Sequence, residues 1–204
     1  GRLILWAGLL GLVLGLGLLA AKFPVLPGDV TLARLGQSLA GESTGWAYTI
    51  TNTAKAPWAY VLVALTAGIS SRLRGPWTAG AAVIAYLLAH GFDRLLKPLI
   101  GRPRPSPELI EVAGSTAGFS CPSTFALVYA ATFGFLLCVL CQQRRSVWRH
   151  AGLVSCALAL LLGASARVVL GGHWPSDLLF SYLLGALFVV PLAVCPRRQR
   201  RVAN

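Results

Sequence analysis

The chain has 204 residues, 56% of them hydrophobic and 12% charged, with a mean hydropathy of +0.70. This excludes a soluble domain of ordinary composition, in which about a quarter of residues are charged. The formal net charge of +12 fits a membrane protein whose inward loops collect Lys and Arg, and nucleic acid is not expected as a partner.

Apolar runs of about 20 residues, the length that crosses a bilayer, recur along the sequence. They predict an all-α polytopic membrane protein, one transmembrane domain over 1–204 with six spans. The first covers 3–21; it is longer than a signal-peptide core and has no basic lead beyond Arg2, so it reads as a transmembrane helix. No Met is present, and Gly1 is read as a truncated or processed start. Residues 22–55 form an extracytoplasmic connection. Within it Asp29 is placed to cap a short amphipathic helix with Leu32, Leu35 and Leu39 on one face. Trp46 and Tyr48 suit a membrane interface. The second span, 56–70, is short and ends at Arg72 and Arg74. The third runs from Trp77 through His90 and on as a helix toward Ile100. A loop rich in Pro and Gly fills 101–121. The fourth span is 122–141, a basic turn follows to His150, the fifth is 151–166, the sixth is 175–195, and 196–204 is a basic cytoplasmic tail. The five cysteines, Cys121, Cys138, Cys141, Cys156 and Cys195, have neither disulfide nor metal spacing. Cys138-x-x-Cys141 lies in an apolar run and reads as packing.

The charges orient this arrangement. With six spans, Arg2, Arg72, Arg74, Arg144, Arg145, Arg149, Arg197, Arg198, Arg200 and Arg201 fall on one side. Asp29, Glu42, Asp93, Glu108, Glu111 and Asp177 fall on the other. Both termini are therefore expected in the cytoplasm, and the loops 22–55, 101–121 and 167–175 face outward.

Three polar clusters fall on that outward face. The first is Lys97-Pro-Leu-Ile-Gly-Arg102-Pro103-Arg104-Pro105, a group of cations on the side that topology disfavours. Cations converging on a small volume make an anion site, and arginine forks match phosphate oxygens; contact with lipid headgroups is the alternative. The second is Cys121-Pro122-Ser123-Thr124-Phe125, where Pro122 suits a first helical position. Hydroxyls and free N–H groups at a helix start cradle phosphate or simply cap the helix. The third is Ser165 to Asp177, with Arg167, His173 and Asp177. Pro175 starts a helix there. A carboxylate four residues after His173 either fixes the imidazole tautomer or only caps that helix.

Together the clusters resemble the three motifs of the type-2 phosphatidic-acid phosphatase family, within the vanadium haloperoxidase superfamily. Lys97 and Arg104-Pro105 match the first motif, Pro122-Ser123 the first half of the second, and Arg167, His173 and Asp177 the third. The resemblance implies a lipid phosphatase of the plasma (inner) membrane, acting on a membrane lipid phosphate at the periplasmic or exterior face. His173 would form a phosphohistidine and Asp177 would hold its ring. Lys97, Arg104, Ser123 and Arg167 would bind phosphate, and Thr124 adds a second hydroxyl at the same helix start. No metal and no cofactor is implied.

The second motif departs from the family pattern. Thr124 stands where the family has Gly, and Phe125 where it has the His that protonates the leaving oxygen; Ala166 also replaces the Ser before Arg167. A substrate whose leaving group needs little protonation, such as a polyprenyl diphosphate, is favoured on that account. His90 and Asp93 are possible surrogate acids, since they share a helix face with Lys97. Alternatively Asp93 pairs with a neighbouring cation and His90 packs in the bundle. A protein that binds lipid phosphates without turning them over, as a carrier or complex subunit, is the other class of function.

Overall fold

The computed structural model describes residues 1–41, 43–113 and 117–194. Glu42, Cys195 and the basic tail with Arg197, Arg198, Arg200 and Arg201 lie outside them. Eight helices follow in order: α1 (Arg2–Lys22), α2 (Asp29–Ala40), α3 (Gly45–Asn52), α4 (Trp58–Arg74), α5 (Trp77–Ile100), α6 (Thr124–Cys141), α7 (Val147–Val169) and α8 (Pro175–Val194). Five of them, α1, α5, α6, α7 and α8, are long and apolar enough to cross a membrane. The chain is a multi-pass, all-helical membrane protein. The expected second span is α4, whose 17 residues reach only about 26 Å, short of the ~30 Å hydrocarbon core. It lies along α5, to which it is joined through Gly75 and Pro76.

The helix ends follow their local chemistry. Ser123 caps α6, its Oγ accepting from the Ala126 N–H at 3.4 Å, and Ser146 caps α7 through the Arg149 N–H at 3.1 Å. The fourth span thus starts at Thr124, and Pro122 lies outside the helix instead of at its first position. Pro175 does open α8. Helix α5 stops at Gly101, whose φ of +62° only glycine adopts cheaply; its N–H donates to the Lys97 carbonyl at 2.9 Å.

Helix α6 is the centre of the bundle and α1 lies at its edge. A stripe of alanines on α5 (Ala81, Ala85, Ala89) packs in one core with Leu127, Ala131 and Phe135 of α6 and Phe180, Leu184 and Phe188 of α8. In lipid the hydrophobic effect does not drive helices together, and such small residues allow the close approach that dispersion needs. Close fit recurs where Gly185 of α8 faces Ala130: a Cβ there would lie 2.5 Å from the alanine Cβ. Ala130 opens a π-helical turn, Ala130–Gly134, in the middle of α6.

The 22–55 connection carries two helices, of which only α2 was expected. Leu32, Leu35 and Leu39 of α2 are exposed, as befits a helix lying in an interface. Its other face grips the 101–123 loop: Arg34 Nε donates to the Leu109 carbonyl at 2.9 Å, and Gln37 Nε2 to the Glu111 carbonyl at 2.6 Å. Helix α3 packs Ala47 against Ala166 and Val169 of α7 and Leu170 just beyond it.

Candidate active site

Four chain segments meet at one end of the bundle: the C-terminal ends of α5 and α7, and the N-terminal ends of α6 and α8. All the candidate residues except His90 lie there, while Arg72, Arg74, Arg144, Arg145 and Arg149 lie at the ends of helices pointing the other way.

His173 is fully buried between α7 and α8. Its Nδ1 is 2.7 Å from the Ser120 carbonyl oxygen. A carbonyl only accepts, so Nδ1 carries the proton and Nε2 holds the lone pair. Burial pushes the imidazole pKa down to about 4, and the nearby Arg167 and Arg104 cations push the same way against Asp177. The ring is therefore neutral at ordinary pH. Arg104 Nη1 reaches to 3.5 Å from Nε2, and is itself fixed by the Gly172 carbonyl at 2.7 Å.

Asp177 corrects one expectation. Its Oδ2 lies 3.8 Å from His173 Nδ1, beyond hydrogen-bond reach, so the Ser120 carbonyl holds the ring instead. The carboxylate is used elsewhere. As the third residue of α8 it accepts from the Trp174 N–H at 3.0 Å, the reach-back half of a capping box. Its Oδ1 accepts from Arg102 Nη1 at 2.5 Å. Arg102, fully buried, also donates through Nη2 to Asp29 Oδ2 at 2.7 Å.

Arg167 points its guanidinium at the backbone of Gly172: a Cβ on that glycine would lie 2.6 Å from Arg167 Nη2. On another side the cation sits 5.9 Å from the centroid of the Phe125 ring. Arg167 Nε and the Ser120 hydroxyl are buried and have no partner among the described residues. Phe125 lies tilted against Tyr129, ring centroids 4.2 Å apart, and both rings rest on Gly163, where a Cβ would come within 2.9 Å of each.

Lys97, Asp93 and Thr124 close into a triangle. Lys97 Nζ donates to Asp93 Oδ1 at 2.6 Å and to Thr124 Oγ1 at 2.5 Å, and Thr124 Oγ1 donates to Asp93 Oδ1 at 2.7 Å. Asp93 is thus the partner of the ammonium, not a free acid. His90, about 10 Å deeper along α5 by helix rise, packs edge-on against Tyr86 at 4.7 Å and bonds no member of the cluster. The two surrogate acids are set aside on this geometry. Ser123 is buried, its N–H donating to Ser181 Oγ at 2.8 Å and its Oγ occupied in the helix cap.

Sequence reasoning missed three contributors. Arg102 stood among the cations, but no local pattern told its burial from the exposure of its neighbours. The Ser120 carbonyl is backbone and leaves no side-chain signature. Asp29 reaches the cluster from 73 residues away.

A multi-pass helical bundle that gathers a buried histidine and two arginines, Arg104 and Arg167, at one end defines a class: a helical membrane protein with a cationic cluster at one face. A family model described as the PAP2 superfamily matches residues 78–201, a stretch that holds all three motif clusters, and the chain belongs to that superfamily. The fold is similar to the crystal structure of the first transmembrane PAP2 type phosphatidylglycerolphosphate phosphatase from Bacillus subtilis. The TM-score is 0.75, over 97% of this chain and 98% of that one, at 16% sequence identity. No curated protein matches the chain.

Proposed function

We propose that the protein is a lipid phosphatase that uses His173 as a nucleophile and prefers a polyprenyl diphosphate. The observation that carries this is the state of His173: neutral, with Nδ1 tied to the Ser120 carbonyl and Nε2 facing Arg104. Nε2 attacks the terminal phosphorus, and the bond from phosphorus to the bridging oxygen breaks. The lipid leaves as a phosphate, and the ring, still bearing the Nδ1 proton, becomes a phosphoimidazolium. Arg104 and Arg167 bind the transferring oxygens and hold the charge that spreads over them. Water then attacks phosphorus, the N–P bond breaks, and dihydrogen phosphate leaves with both water protons. Neither step requires an acid, which suits a site with Phe125 in place of the proton donor. Expelling an alkoxide from a monoester does require one.

An apolar groove of about 590 Å³ supports a long chain as the rest of the substrate. It is lined by Leu32, Leu39 and Trp46 on one side and Leu161, Leu178 and Leu179 on the other, and it runs up to Val168 and Pro175 beside the site. A protein that binds lipid phosphates without turnover is the second reading; the capture of Lys97 by Asp93 and Thr124 favours it.

Phosphate release by the purified protein decides between them. A polyprenyl diphosphate should be hydrolysed, and phosphatidic acid and phosphatidylglycerol phosphate far more slowly. His173→Ala should abolish release. No His173-dependent release from any of the three leaves only the binding reading.

A further inference from the structure

We propose that Asp29 is a positioning residue for the site: by sharing Arg102 with Asp177, it sets how strongly the Asp177 carboxylate acts on His173. This rests on the reading of His173 as the nucleophile. Asp29 lies on α2, ahead of the stretch that the family model matches, and nothing in the sequence around it points toward the site.

The geometry is a fork. Arg102 gives Nη2 to Asp29 and Nη1 to Asp177, and its Nε donates to the Pro24 carbonyl at 3.1 Å. Asp29 is held from three sides besides. Its carboxylate accepts from the Leu26 N–H at 3.0 Å, the Ser176 N–H at 3.0 Å and the Ser176 hydroxyl at 2.8 Å. The helix on the surface is thereby locked to the first turn of α8, the turn that also carries Asp177. All three charged side chains are buried, where water screens little and one charge changes the field at its neighbours strongly.

Two carboxylates and one guanidinium leave this group with a net charge of −1, a few ångströms behind the imidazole. The other charged groups acting on His173 are Arg104 from the 101–123 loop and Arg167 from α7. With two cations on the phosphate side, the −1 behind the ring is what favours the cationic phosphoimidazolium. Remove the Asp29 charge and Arg102 draws on Asp177 alone. The group becomes neutral and the cationic ring loses its support. Remove the Arg102 charge and two bare carboxylates remain, so the ring holds a proton more tightly.

The test uses the full chain in lipid nanodiscs with 13C-labelled histidine. The chain has three histidines, and His173→Ala assigns the signal. Arg102→Gln should raise the His173 titration midpoint by about one pH unit or more. Adding Asp29→Asn on that background should bring it down again by a similar amount. In turnover of a polyprenyl diphosphate, Asp29→Asn alone should lower kcat about tenfold, the equivalent of one unit in the charged-to-neutral balance of the ring. KM should change little, and Asp29→Glu, which keeps the charge, should recover most of kcat. An unmoved midpoint in Arg102→Gln, or a double variant that titrates like Arg102→Gln, overturns the proposal. Should Arg102→Gln fail to insert, Asp29→Asn with wild-type kcat overturns it as well. If His173→Ala still turns over substrate, the nucleophile reading fails, whereas the midpoints still report whether Asp29 governs the ring.

Discussion

Phe125 concentrates the question of chemistry in one residue. In place of a proton donor the chain has an aromatic face set against the Arg167 cation, a contact worth about 0.5–2 kcal/mol depending on how dry it is. On the proposed function, Phe125 takes the place of one catalytic group and supplies a shelf for Arg167. Two variants separate these effects. Phe125→His should raise phosphate release from a monoester by up to ~10²–10⁴-fold and leave the diphosphate rate nearly unchanged. Phe125→Leu keeps the bulk and loses the ring face, so KM should rise several-fold on both substrates with kcat less affected. An unchanged KM in a steady-state titration removes the shelf from the account. The pH profile belongs to His173. In the proposed mechanism the neutral ring is the nucleophile, and burial pushes its pKa down to about 4. Therefore kcat/KM should show no acid limb near pH 6.5, the ordinary histidine value. It should fall only as pH drops through about 4. An acid limb near 6.5 in a pH–rate series would contradict the burial of the ring.

The helix ends act as single parts. The first turn of α6 presents Thr124 to Lys97 and Phe125 to Arg167, so one helix start organises cations from both α5 and α7. Its position depends on Gly163 of α7, on which Phe125 and Tyr129 lie. Tyr129 is in turn tied by its hydroxyl to Thr53 Oγ1 at 2.7 Å, just beyond α3. Gly163→Ala puts a methyl within 3 Å of both rings. Overpacking of this kind costs about 1–3 kcal/mol. The expected result is a lower melting temperature in detergent and a raised KM, since the shelf under Arg167 shifts. A variant that melts and binds like the wild type would mean that the rings have room to move. The loop joining α7 to α8 is as closely set: a Cβ on Gly171 would lie 2.1 Å from the Glu111 carbonyl oxygen.

For the whole molecule, the spans were legible because bilayer thickness imposes a long apolar run that no other requirement in the sequence imitates. The motif clusters were legible because lysine, arginine and histidine are costly beside apolar runs and stand out there. What stayed hidden was pairing. Nothing local says that Arg102 meets Asp29 and Asp177 while Arg104 meets His173; that depends on how α2 crosses the 101–123 loop. Helix α3 stayed hidden too, being eight residues with threonines and an Asn and little helical preference of its own. The orientation expected from the charges has a direct check. In sealed cells a membrane-impermeant thiol reagent should label a chain whose only cysteine is Glu108→Cys. It should miss a chain that keeps Cys141 alone. Both positions are exposed on the protein, so the membrane decides the outcome, and the reverse labelling would invert the topology.

Cys121, one residue from the carbonyl that holds His173, gives the site a durability of its own. It is fully buried. Burial pushes its thiol well above the ordinary range, and the Asp177 carboxylate pushes it further. The thiolate is the form that oxidants and electrophiles attack. A thiol so placed, at the centre of the proposed site, should therefore resist peroxide. Mass spectrometry after mild treatment should find sulfenic acid or adducts on the exposed Cys141 and none on Cys121, with turnover intact.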